Sequence, residues 1–195
     1  MIPQTSDMAG SDRTIIGSSI VPFRLVFLMW LAYVLERSYN IGFELPGIYP
    51  RSVKGLLGIV TSPLVHAGYV HLLSNTIPIL FLGAMLFFYY PRIAKWVFLR
   101  SYFVTNVLVW LLARGGSQHI GASGVVYGLA FFLVFFGIFR RDKISLLISV
   151  IVILFYGTMF YGLLPNDPRL SWESHLFGAM VGAWTARDFR KARIE

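Results

Sequence analysis

The 195-residue chain contains no cysteine. That excludes a disulfide framework, thiolate metal ligation and a cysteine nucleophile. Charge is scarce too: Asp, Glu, Lys and Arg make up 13% of residues, about half the usual quarter. The start of the chain lacks the positive charge and apolar run of a cleavable signal peptide, so residues 1–20 read as a short disordered tail. No linker, low-complexity tract or repeat follows. One membrane domain over residues 21–190 and a short tail at 191–195 account for the rest. Hydrophobic residues reach 56%, more than a soluble domain of this size could bury, which points to an all-α polytopic membrane protein. The formal charge of +8 could suggest nucleic acid. In a membrane protein, however, basic residues sit in loops and set orientation, so membrane lipid and no nucleic acid is the expected surrounding.

Charge-free runs mark six expected spans, at about residues 21–39, 69–90, 94–113, 121–139, 144–164 and 172–187. Residues 55–91 carry no Asp, Glu, Lys or Arg, although about 20 residues suffice for one crossing. Pro63, Gly68 and two histidines interrupt that run. Residues 46–68 are therefore expected to be a first outer loop that dips to membrane depth as non-helical backbone, tolerated there only against protein or a water-filled cavity. Six spans place both termini on one side. Arg13, Arg24, Arg92, Lys95, Arg100, Arg140, Arg141, Lys143, Arg187, Arg190, Lys191 and Arg193 share it, against Arg37, Arg51, Lys54, Arg114 and Arg169. The excess argues for cytoplasmic termini and places His66, His71, His119 and His175 toward the outer half.

Polar residues inside spans are costly, and three clusters stand out. In Gly121-Ala122-Ser123-Gly124, Ser123 opens the fourth span, where unpaired backbone N–H groups could stabilise an oxyanion. Tyr127 is four residues on and shares its face, and Gly124 and Gly128 permit close helix approach. The bland alternative is a packing motif in which serine is merely small. In the sixth span His175, Gly178 and Gly182 lie on one face. A neutral histidine there could accept a serine proton, or could be a structural group hydrogen-bonded between helices. The third cluster, His66 to Asn75, puts His71 and Asn75 on one face, and asparagine is an uncharged oxyanion donor. The His66/His71 spacing could suggest metal, but no acidic residue is near and no HExxH pattern occurs, so neither a metal nor another cofactor is expected. Glu173 is two residues from His175 and points elsewhere on a helix. A Ser-His dyad performing acyl transfer to water within the membrane fits this set, with transmembrane protein substrates as partners.

With these motifs in this order, the chain resembles the rhomboid family of intramembrane serine proteases, in its compact six-helix bacterial form. The resemblance covers about residues 55–187. It implies a six-transmembrane-helix rhomboid-like bundle with a membrane-embedded first outer loop, in a bacterial inner membrane, with the site opening to the outer side. It implies Ser123 as nucleophile and His175 as general base. His71, Asn75 and the Ser123 amide would form the oxyanion site, Tyr127 would orient His175, and His66 would hold the first loop. The Trp-Arg pair common in the family's first outer loop is absent; Glu36-Arg37 stands there, followed by a stretch without tryptophan. Phe155, Tyr156, Phe160 and Tyr161 occupy the place of the family's lateral gate, and equally suit an interfacial aromatic belt. Two other readings compete: a rhomboid-like protein that binds transmembrane helices without cutting them, and a small transporter. The latter would want intramembrane charges or inverted repeats, and neither is found apart from Arg100.

Overall fold

The computed structural model describes residues 14–38, 45–116, 118–165 and 171–194. Residues 1–13, and with them Arg13, lie outside the described residues, as does Arg169. Within the stretch expected to be a disordered tail, the described part begins with a helical turn, α1 (Ile15–Ser18), capped by the Thr14 side chain. Helix α2 (Ile20–Ser38) follows. Next come α3 (Val53–Thr61), α4 (Tyr69–Tyr89), α5 (Pro91–Leu99), α6 (Thr105–Leu112), α7 (Ser123–Arg140), α8 (Lys143–Tyr156) and α9 (Trp172–Phe189). A π-helical turn, Arg100–Val104, joins α5 to α6. A 3-10 segment, Gly157–Leu163, continues α8. Among the described residues there is no strand, and one isolated bridge pairs Ile48 with His119.

Among the described residues three helical stretches are long and apolar enough to cross a membrane: Tyr69–Tyr89, Ser123–Arg140 and Lys143–Leu163. Buried residues make up 72% of the second and 22% of the third. So α7 is the centre of the bundle, while α8 turns Leu147, Leu154 and Phe155 outward. Local chemistry sets the boundaries. Pro91 cannot continue α4 and begins α5, its missing N–H costing nothing at a first helical position. Asp142 caps α8, accepting from the Ser145 amide at 2.9 Å, and Arg141 leaves α7 at φ +63°. The acidic residues of α9 find partners: Glu173 meets Arg114 at 3.2 Å, and Asp188 meets Arg100 at 2.6 Å.

The segment expected to form the first outer loop departs from expectation. Residues 46–68 are not mainly irregular backbone: α3 and a 3-10 turn, Ser62–Leu64, occupy half of them. Ser52 starts α3 by accepting from the Gly55 amide at 3.0 Å. Its last carbonyls are then satisfied from α6 and the π turn, Ile59 by Asn106 Nδ2 at 2.9 Å and Val60 by Tyr102 Oη at 2.5 Å. These tertiary donors make helix affordable in a stretch rich in glycine. Gly55 and Gly58 face inward, where a Cβ would strike the backbone of Tyr49 and Gly47. Val53, Leu57 and Val60 face outward.

Candidate active site

Ser123 begins α7 and is half-buried. The chain enters through Gly121, whose φ of +98° favours glycine. The same position needs hydrogen for space, since a Cβ there would lie 2.6 Å from His71 Nε2. The Gly121 amide donates to Ser62 O at 2.9 Å, and the Ile48–His119 bridge holds the loop two residues earlier. The serine is thus fixed from both sides of the first outer loop, with the unpaired amides of a helix start around it.

His175 comes from the first turn of α9. Its Nε2 lies 2.9 Å from Ser123 Oγ, and its Nδ1 lies 2.9 Å from Gly162 O. A carbonyl only accepts, so Nδ1 carries the proton and Nε2 turns its lone pair toward the serine hydroxyl. The Tyr127 ring stacks on the imidazole, with centroids 4.2 Å apart and planes 4° from parallel. Tyr127 Oη donates to Met159 O at 2.9 Å. The 3-10 segment therefore holds both the imidazole and the ring beneath it. Gly162 permits this approach, because a Cβ would collide with Tyr127 Oη and sit 3.3 Å from His175 Nδ1.

Interlocking glycines set the distance between the two helices. A Cβ on Gly178 would fall on Gly124 O, and one on Gly182 on Gly128 O with Phe132 N at 2.8 Å. The complementary small faces are not symmetric. Gly124 and Gly128 turn their own missing side chains toward Thr105 and Ser101, next to the π turn.

His71 and Asn75 lie on the α4 face beside Gly121. Asn75 is buried and gives one amide hydrogen to His71 O at 3.0 Å, which leaves its second hydrogen for another acceptor. His66 is buried, meets His71 edge-on at 5.0 Å between centroids, and places Nδ1 3.2 Å from Leu64 O. Its Nε2 has no hydrogen-bond partner among the described residues. Burial, with a smaller effect from His71, pushes the His66 imidazole down to about 4, so it is neutral at ordinary pH. Among the described residues no group of three or more His, Asp or Glu is placed to hold a metal ion.

Several contacts around the pair escaped the sequence reading. The Gly162 and Met159 carbonyls carry no side-chain signal, since every residue has one. His119 forms a chain with Ser171 and Ser174, Nδ1 to Ser171 Oγ at 2.5 Å and Ser171 Oγ to Ser174 Oγ at 2.6 Å. This chain ties the loop before Ser123 to the turn before His175, and burial lowers the His119 pKa, keeping the ring neutral. Of the aromatics considered for a gate, Phe155 and Tyr156 face α4 and Phe160 faces α7. Phe155 and Tyr156 meet Phe81 at 6.0 and 5.9 Å, Phe160 meets Phe131 at 5.1 Å, and Phe155 and Tyr161 are exposed.

Comparison with known proteins gives a consistent picture. Residues 54–191 match the family model for the Rhomboid domain. An uncharacterized protein of Mycobacterium bovis is 30% identical over 93% of this chain and 79% of its own length. An uncharacterized protein of Mycobacterium leprae is 31% identical over 87% of this chain and 70% of its own length.

Proposed function

The chain belongs to the rhomboid family, and from that premise we propose that it is an intramembrane serine endopeptidase working through a Ser123–His175 dyad. The observation that carries this reading is the 2.9 Å contact of His175 Nε2 with Ser123 Oγ, in the one tautomer that leaves Nε2 basic. In this reading Ser123 Oγ attacks a substrate carbonyl while His175 Nε2 takes its proton. The carbonyl oxygen becomes negative and is met by the Ser123 amide, Asn75 Nδ2 and His71. Collapse breaks the peptide bond, and His175 returns its proton to the leaving amine. Water then hydrolyses the acyl-enzyme by the same proton path in reverse order. Gly162 O stands where soluble proteases place a carboxylate. It orients the imidazole without adding a charge that the apolar surroundings would penalise.

The substrates in this reading are transmembrane segments of other membrane proteins. The protein crosses a bacterial inner membrane six times, with α2, α4, α5 joined to α6, α7, α8 and α9 as spans, both termini in the cytoplasm, and Ser123 toward the outer side. The test is incubation of the purified full chain in liposomes with single-span test substrates. Cleavage by wild type and none by Ser123→Ala is the expected result. Intact substrate, with no labelling of Ser123 by a fluorophosphonate, would instead mark a helix-binding protein without protease activity.

A further inference from the structure

Two cavities take no part in the proposed reaction, and the first lies at the end of the bundle away from Ser123. Arg140, the last residue of α7, lines the first of them, which at about 1.5 Å per residue lies about 25 Å along that helix from the serine. The first, of about 570 Å³, is lined by Arg92, Arg140, Asp142 and Arg193, with Phe88 and Tyr89 on its wall. The second, of about 480 Å³, runs between α4 and α8 along Phe81, Ala84, Ile151 and Phe155, and has no charged side chain in its lining. Phe88 and Tyr89 line both, so the basic cavity and the apolar groove adjoin.

The charges in the first cavity do not cancel. Asp142 is engaged, with Arg140 Nε at 2.9 Å and the Ser145 hydroxyl at 2.8 Å. Arg140 also donates to Ala192 O at 2.9 Å. Arg92 and Arg193 have no ion pair among the described residues. Two guanidinium groups thus face a concave site whose one carboxylate is already held. Guanidinium pairs suit a phosphate oxygen, through charge-assisted hydrogen bonds of fixed geometry. A zwitterionic headgroup would bring an ammonium toward these same cations and find no free carboxylate. An inorganic phosphate would satisfy the cations and leave the adjoining groove empty. A diacyl phosphodiester with no positive headgroup matches both halves at once.

We propose that the two cavities form one binding site for an anionic phospholipid, its phosphodiester held by Arg92 and Arg193 and one acyl chain laid in the α4–α8 groove. The inference does not depend on protease activity and is tested by binding alone. The full chain in detergent is titrated with phosphatidylglycerol, phosphatidylcholine of the same chains, and inorganic phosphate, and bound lipid is counted by native mass spectrometry. Phosphatidylglycerol should bind at least tenfold more tightly than phosphatidylcholine. Replacing both exposed arginines, Arg92→Gln with Arg193→Gln, should weaken phosphatidylglycerol roughly twenty-fivefold, about fivefold for each basic residue near a lipid surface. Ala84→Trp, which fills the groove and leaves the cations in place, should weaken both lipids. Equal binding of the two lipids overturns the proposal, as does a phosphatidylglycerol preference that survives the double arginine change. Unaltered lipid binding in Ala84→Trp overturns the acyl-chain half, and phosphate competing as well as the lipid would make this a free-phosphate site.

Discussion

A single methyl group on Gly178 should disable the site without touching a reacting atom. An ideal Cβ at this position falls on Gly124 O, with Gly124 C and Tyr127 Cβ each at 3.1 Å. The colliding atoms belong mostly to backbone, so no rotamer change relieves them. Ordinary C–H···O contacts lie at about 3.3–3.6 Å, so α7 and α9 must part by about 1 Å. That displacement acts directly on the 2.9 Å separation of Ser123 Oγ and His175 Nε2, because the two residues ride on these two helices. A misplacement of about 1 Å can cost roughly a hundredfold in rate. Gly178→Ala should therefore lower kcat about a hundredfold with KM little changed. Overpacking should also lower stability by about 1–3 kcal/mol. Gly157→Ala is the matched control, since its Cβ would meet Ile153 Cγ2 at an ordinary 3.9 Å. The assay is cleavage of a single-span substrate in liposomes, with thermal melting of each variant measured alongside. A Gly178→Ala protein with wild-type kcat and melting temperature would refute the claim that glycine spacing sets the dyad distance.

Ser123→Ala and His175→Ala should each remove essentially all cleavage, and the double variant should be little worse, because nucleophile and base act as one unit; additive losses in the same assay would contradict a shared proton path. Asn75→Ala should reduce kcat about ten- to a hundredfold, less than loss of the best-studied single oxyanion donor because His71 and the Ser123 amide share the load. KM and melting should stay near wild type, and a parallel fall in melting would make Asn75 a structural tie. Ser171→Ala breaks the bridge between His119 and Ser174 and should lower kcat roughly tenfold through misplacement, with activity recovered in Ser171→Thr; a Thr variant as slow as the Ala one would show that the hydroxyl is not what matters. EDTA should leave cleavage unchanged, since the described residues offer no set of three protein ligands of the kind a catalytic zinc wants. Activity lost in EDTA and restored by zinc would revive a metal role for His66 and His71.

Much of this molecule was legible along the chain because the physics involved is local. The charge-free run marks α4 to within a residue, since desolvation acts on the segment itself, while α5 begins at Pro91, three residues before the span expected from 94. The four-residue spacing of Gly124 with Gly128, and of Gly178 with Gly182, displays a small helix face whatever it packs on. The residue types Ser123, His175, Asn75 and Tyr127 suggest a reaction class before any of them is placed in space. Other features depend on what the chain meets after it folds. Helix in the first outer loop rests on Asn106 and Tyr102, some forty residues away in sequence, donating to the last carbonyls of α3. The π turn at Arg100–Val104 adjoins the seats of Gly124 and Gly128, yet nothing in RSYFV itself calls for it. The orientation of His175 comes from a main-chain carbonyl, and its support from a tyrosine anchored to another. Composition and periodicity settle which segments are buried in apolar surroundings. Which carbonyl faces which imidazole is decided by tertiary packing alone, because the backbone is the same at every residue and only position distinguishes one carbonyl from the next.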